Sequence, residues 1–228
     1  MRTDFWNNLR LRLLIASALL GAGAAVVGWL SPGGLGEAGP VRVVGGVSAE
    51  VYRWVAGAVT GMDPASDGAL VVLGVVPAWV WLGAVRRRDG FGVAAGVLIG
   101  AGTVAAYALS EALKLVVDEE RPCRVIVAMA DCPPVGDWAF PSNHATLAAG
   151  LGFGVAVLRP RLAPLTVPLA VAAGLLRVLA GVHYPHDVVA GAVLGGCVVV
   201  AVLLVFAPVA GRLGSRVLGS RPVAGRSG

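Results

Sequence analysis

The chain has 228 residues, of which 57% are hydrophobic and only 14% charged, where a soluble domain carries roughly 25% charge. With a mean hydropathy of +0.81, this excludes a disordered chain, argues against a soluble one and leaves room for several bilayer crossings of about 20 apolar residues each. The net charge of +5 would suit a nucleic-acid partner, but the arginines lie in short runs between apolar segments, which fits membrane topology and not nucleic acid.

The first apolar run covers 13–30. Arg10 and Arg12 precede it and an Ala22-Gly23-Ala24 triplet lies within it, as in a cleaved signal peptide, but the run continues through Val26, Val27, Trp29 and Leu30, which favours a retained span. Beyond it, Val44, Val47, Val51, Trp54, Val55 and Ala58 recur near helical spacing with Glu50 and Arg53 off the stripe. That segment reads equally as an interfacial amphipathic helix or as a helix packed on the bundle. Spans follow at 69–85 and 91–117. The second of these is about 40 Å long as a helix, more than a hydrocarbon core of about 30 Å, so its polar end with Glu111 and Lys114 reaches an interface.

Lys114 and Arg121 are seven apart, or two helical turns, and are expected on one face of that helix end, with Pro122 stopping it. Two cations on one face need an anion. Asp118, Glu119 and Glu120 read as a solvated acidic loop, with Arg124 belonging to it. Pro141-Ser142-Asn143-His144 leads into a short run at 144–158, placing Ser142 as an N-cap. The free backbone N–H groups after it make a ready phosphate site. A run at 163–182 carries Arg177, and His183, His186 and Asp187 come just before the last run at 188–207. The i,i+4 spacing of His183 and Asp187 lets the carboxylate orient the imidazole. The Gly/Arg/Ser-rich stretch 211–228 reads as a disordered tail behind one membrane domain over 1–210.

The expected fold is all-α, a bundle of six transmembrane helices. Twelve of the 18 basic residues fall at the start, after the second and fourth runs, and after the sixth. The positive-inside rule makes that side cytoplasmic, with both termini there and segments 31–68, 118–143 and 183–187 outside. All three histidines of the chain, His144, His183 and His186, lie beside those outer segments with Lys114, Arg121, Arg177 and Asp187. Ionisable groups at membrane depth cost about 3 kcal/mol unless they are partnered or used, so the cluster reads as a functional site.

The strings KLVVDEERP, PSNH and RVLAGVHYPHD resemble, in order and in loop placement, the three motifs of the type 2 phosphatidic acid phosphatase superfamily. That superfamily also includes soluble vanadate-dependent haloperoxidases. Two positions depart from its pattern: Asn143 stands where the second motif usually has glycine, and Leu176 where the third usually has serine. Asn tolerates positive φ, so a glycine-like backbone at 143 is compatible with the resemblance. The resemblance implies a bacterial membrane lipid phosphatase in which His183 attacks phosphorus, Asp187 holds its ring, and His144 protonates the leaving oxygen and then activates water. Lys114, Arg121 and Arg177, with Ser142, Asn143 and the backbone N–H groups there, would bind the phosphoryl oxygens. It implies no metal and no cofactor, and a lipid phosphate in the bilayer as partner, a polyprenyl diphosphate first and phosphatidic-acid-type lipids next. A lipid phosphotransferase, or a non-catalytic protein that binds or transports a lipid phosphate, would carry the same residues.

His186 lies outside the motif positions and is expected to modulate the site at most. Cys123 and Cys132 share an outer loop in an oxidising compartment and are expected to pair. Cys197 reads as a small packing residue. With no Cys-x-x-Cys pair, neither a zinc nor a redox motif is indicated.

Overall fold

The computed structural model describes residues 6, 8–32, 40–55, 63–126 and 132–218. The helices are α1 (Leu9–Leu30), α2 (Pro40–Val55), α3 (Asp63–Arg86), α4 (Gly90–Val117), α5 (Pro122–Val125), α6 (Asn143–Leu158), α7 (Ala163–Leu179) and α8 (Pro185–Val217). A single 3-10 turn at Pro160–Leu162 joins α6 to α7, and the described residues contain no strand. Among the described residues, five helices are long and apolar enough to cross a bilayer: α1, α3, α4, α7 and α8. The chain is a multi-pass membrane protein. The sixth expected span, α6, has 16 residues, about 24 Å of helix, so the count of six does not follow from length and composition. It starts inside the bundle, and Ala145, Thr146, Ala148, Ala149, Gly150, Gly152 and Gly154 along it are buried.

In lipid, apolar side chains gain little from leaving one hydrocarbon for another, so helices associate through close packing of small residues and through polar contacts. Both devices centre on α8, the 33-residue helix that packs against α1, α4 and α6. A Cβ at Gly191 would run into the Ser142 carbonyl, and one at Gly195 into the Thr146 carbonyl. Those two glycines therefore let the start of α6 lie directly on α8. A polar contact holds α1: buried Arg12 donates from Nη1 to the Leu204 carbonyl at 2.6 Å and to the Val205 carbonyl at 3.3 Å. Pro208 has no N–H, so the carbonyl four residues earlier, that of Leu204, lacks its helical donor. Arg12 supplies one.

Helix boundaries differ from the sequence expectation where polar residues act. The end of α4 is Val117, where Asp118 turns left-handed at φ 40° and its N–H caps the Lys114 carbonyl. The helix thus stops before Pro122, and Arg121 is not on its face. At the other end of the chain, α8 begins at Pro185 because the Asp187 carboxylate accepts the Tyr184 N–H at 2.8 Å. It runs on through Val217, into the stretch read as tail, while residues 219–228 lie outside the described residues. Gly90 touches Gly214 at the end of the bundle opposite the histidines.

Candidate active site

Five pieces of chain converge at one end of the bundle: the end of α4 with the turn after it, the loop 132–142, the start of α6, the end of α7, and the turn 180–184 into α8. His183, Asp187, Lys114, Arg121, Arg177 and Ser142 are all buried there.

Two contacts fix the state of His183. Arg121 Nη1 lies 3.2 Å from its Nε2, and Asp187 Oδ2 lies 3.3 Å from its Nδ1. A guanidinium only donates, so Nε2 presents its lone pair and Nδ1 carries the proton toward the carboxylate. Burial, then the charges of Arg121, Arg177, Lys114 and His144, hold the imidazole well below the ordinary histidine range, so the ring is neutral. Arg121 Nη1 also donates to the Val182 carbonyl at 3.0 Å, which pins the turn that carries the histidine.

Arg121 and Lys114 converge, although not by sharing a helix face. Their common partner is Asp137, which sequence reasoning missed. Its Oδ1 accepts from Arg121 Nη2 at 2.9 Å and from Lys114 Nζ at 3.2 Å, and its carbonyl accepts from Arg121 Nε at 2.8 Å. Burial would raise the Asp137 carboxyl, but the charges and hydrogen bonds of Arg121 and Lys114 outweigh it and hold the group below the usual carboxylate range. The anion that two cations need is internal in this structure. Glu111, three residues before Lys114 on α4, also pairs with it at 3.2 Å.

Ser142 occupies the N-cap position of α6, but its hydroxyl makes no capping bond. The hydroxyl is buried with no hydrogen-bond partner among the described residues, and the Ser142 N–H is spent on the Asp187 carbonyl at 3.0 Å. Asn143 does not take a glycine-like backbone: it is the first residue of α6. Its amide faces α4, donating to Glu111 Oε1 at 2.5 Å and accepting from Ser110 Oγ at 2.8 Å. His144 Nε2 lies 2.7 Å from Asp67 Oδ1, and Arg177 Nη1 donates to Ser66 Oγ at 3.3 Å. The start of α3 thus touches two site residues, and its only sequence signal was polar residues at the outer end of a span.

His186 and Glu119 were not expected together. His186 Nε2 is 3.1 Å from both Glu119 oxygens and 3.2 Å from Asp187 Oδ1. Glu119 is therefore packed against α8 and is no part of a solvated loop. These three could ligate a cation, since their ligand atoms all lie within 4.8 Å. Asp187 is already committed to His183 and Tyr184 through its other oxygen. Cys123 and Cys132 form a disulfide, and Arg124 braces the loop through Glu120 at 2.7 Å and the Pro133 carbonyl. Cys197 is a free cysteine in α8.

A family model, the PAP2 superfamily, matches residues 95–209, half of the chain, and that stretch holds all three motifs. The chain belongs to the PAP2 superfamily. Over 123 residues it is 40% identical to a decaprenylphosphoryl-5-phosphoribose phosphatase of Mycobacterium tuberculosis, covering 51% of this chain and 63% of that one. Over 70 residues it is 43% identical to the bacitracin transport permease protein BcrC of Bacillus licheniformis, covering 31% and 33%. The chain thus spans less than two thirds of the length of these PAP2 relatives. In fold it is similar to the crystal structure of a transmembrane PAP2-type phosphatidylglycerolphosphate phosphatase from Bacillus subtilis, with a TM-score of 0.55 at 18% identity over 82% of this chain and 93% of that one. Ser48, Tyr52, Ser66 and Asp67 lie outside the PAP2 match.

Proposed function

We propose that this chain is a membrane lipid phosphatase that hydrolyses a lipid phosphomonoester or diphosphate through a phosphohistidine on His183. In this reading it crosses the bilayer six times with both termini cytoplasmic and the site outside. The observation that carries it is the pair of contacts on His183, which present a neutral Nε2 lone pair among three cations with a carboxylate behind the ring.

Substrate phosphate displaces the Asp137 carboxylate from Lys114 and Arg121, and Arg177 and the Ser142 hydroxyl bind its remaining oxygens. As Arg121 turns its Nη1 from His183 to the phosphate, the freed Nε2 lone pair attacks phosphorus, the N–P bond forms, and the P–O bond to the lipid oxygen breaks. His144 gives that oxygen a proton and the lipid alcohol or lipid phosphate leaves. The Nδ1–H bond to Asp187 stabilises the charge on the phosphorylated ring. Water then attacks phosphorus, loses its proton to His144, and the N–P bond breaks to release phosphate. The cations stabilise charge on the transferring oxygens.

A lipid substrate is supported by an apolar groove of about 510 Å³ lined by Leu19, Ala145, Phe153, Gly174, Val188 and Gly196. Two of its lining residues, Ala145 and Val188, directly follow His144 and Asp187 in the chain, and its apolar walls suit a hydrocarbon chain. The mycobacterial relative's name favours a polyprenyl phosphate ester over phosphatidic-acid-type lipids. The permease name of the Bacillus licheniformis relative favours a second reading, transport or binding of a lipid phosphate. Phosphate release from a polyprenyl diphosphate and from phosphatidic acid, wild type beside His183→Ala, separates them. The phosphatase reading expects at least a thousand-fold loss, of the order seen when a nucleophile is removed. Unchanged activity in His183→Ala would refute it.

A further inference from the structure

The outer helix α2 has three distinct sectors. Ser48 and Tyr52, one turn apart, are buried, while Val47, Val51 and Trp54 are 57%, 43% and 87% exposed. At 100° per residue these exposed apolar positions form one stripe about 100° around the helix from the buried pair. Glu50 and Arg53 fill the remaining arc, exposed and 3.8 Å apart. A helix surrounded by water has no reason to present Trp54 and two valines, and one sunk in hydrocarbon would not present Glu50 and Arg53. A helix lying in the lipid–water interface with one side against the bundle accounts for all three sectors.

Both members of the buried sector touch the segment that bears the nucleophile. The Tyr52 hydroxyl donates to the Gly181 carbonyl at 2.9 Å, and its ring lies 5.9 Å from that of Tyr184. Ser48 Oγ accepts the His186 N–H at 3.3 Å and lies 2.9 Å from His186 Nδ1. His186 in turn reaches Asp187 Oδ1. Gly181 sits at φ +76°, in the bend that turns the chain from α7 toward His183. Tyr52 is the side chain that fixes its carbonyl.

We infer that α2 is seated in the lipid–water interface by Val47, Val51 and Trp54 and straps down the nucleophile turn. Tyr52 and Ser48 are positioning residues for His183 and Asp187, and lipid seating of α2 and catalytic competence are coupled. The kinetic part of this inference rests on the phosphatase reading; the seating and the strap do not.

The test uses the full chain in phosphatidylglycerol/phosphatidylethanolamine liposomes, in a Cys197→Ala background. A nitroxide on Trp54→Cys is expected to collide with oxygen in preference to a water-soluble nickel chelate, and one on Glu50→Cys the reverse. Tyr52→Phe, which removes only the hydroxyl, is expected to speed amide exchange in 180–184 and to lower kcat by roughly three- to ten-fold, the worth of one hydrogen bond, with KM within about two-fold. Trp54→Asp should lower kcat on water-soluble p-nitrophenyl phosphate as well as on lipid, because it acts through the turn and not through lipid capture. A label at 54 as water-exposed as one at 50 would overturn the seating, and wild-type exchange in Tyr52→Phe would overturn the strap. If the wild type releases no phosphate, the phosphatase reading fails, and label depth and exchange still decide this inference.

Discussion

Asp137 occupies the cations that the proposed reaction needs for substrate. Its carboxylate bridges Arg121 at 2.9 Å and Lys114 at 3.2 Å, where the account puts substrate phosphate. Substrate must displace it, so the charge of Asp137 opposes binding. The side chain is 41% exposed, and each pair is therefore discounted to about 0.5–1 kcal/mol, as for partly solvated ion pairs. Asp137→Asn keeps the shape and leaves the backbone contact from Arg121 Nε in place. It is expected to tighten inhibition by inorganic phosphate or vanadate by about five- to thirty-fold, the equivalent of 1–2 kcal/mol. The carboxyl is held below its ordinary value, burial notwithstanding, by Arg121 and Lys114. A lowered carboxyl stabilises the fold above its unfolded value and loses that contribution as pH falls through its folded value. The difference between variant and wild type should accordingly persist at neutral pH and fade only below about pH 4. Inhibition constants that rise in Asp137→Asn would refute the argument, since Asp137 would then be orienting the cations and not competing with phosphate.

Other outcomes follow from the same geometry. Because the Ser142 hydroxyl has no partner among the described residues, Ser142→Ala should leave thermal stability in detergent unchanged while lowering kcat/KM by about ten-fold, one phosphate contact; a large stability loss would contradict that. The Cys123–Cys132 bridge has a sequence separation of 9, and loop entropy for such a ring is worth about 2–3 kcal/mol. Reduction should lower the melting temperature, and an unchanged value would show the loop is held by other contacts such as those of Arg124. Burial and the surrounding cations keep His183 neutral, and the neutral ring is the reactive one. The acid limb of kcat/KM should therefore fall below about pH 6.5, the ordinary histidine value; a limb at or above it would mean that another group controls reactivity.

Much of the candidate site was legible because ionisable residues at membrane depth are costly unless they are partnered or used. Lys114, Arg121, Ser142, His144, Arg177, His183 and Asp187 were all found as polar residues at span ends, and the structure gathers them at one end of the bundle. The geometry that joins them was less legible. Heptad spacing put Lys114 and Arg121 on one helix face, but Asp118 ends α4 in a left-handed turn and the two meet through a loop carboxylate instead. No period marks Asp137, Asp67 or Glu119, because their partners lie far along the chain, and only the fold brings them close. Arg12 reads as a topology signal in a charge count. That it caps the carbonyl left open by Pro208 needs two helices 192 residues apart in sequence to be side by side. The segment around Val47 and Trp54 left packed and interfacial readings open, and the structure shows why: one side is buried on the turn to His183 and another is bare.

Everything in the proposed reaction turns on the covalent step at His183. A lipid phosphate carrying ³²P, mixed with the purified protein in EDTA and quenched in alkali within milliseconds to seconds, tests it directly, in the wild type and in His144→Ala, where the second step should be slowed. An acid-labile, alkali-stable label is expected on the peptide containing His183, accumulating in His144→Ala and absent from His183→Ala. Phosphate release that continues without any labelled histidine, or that stops when EDTA is added, would contradict it.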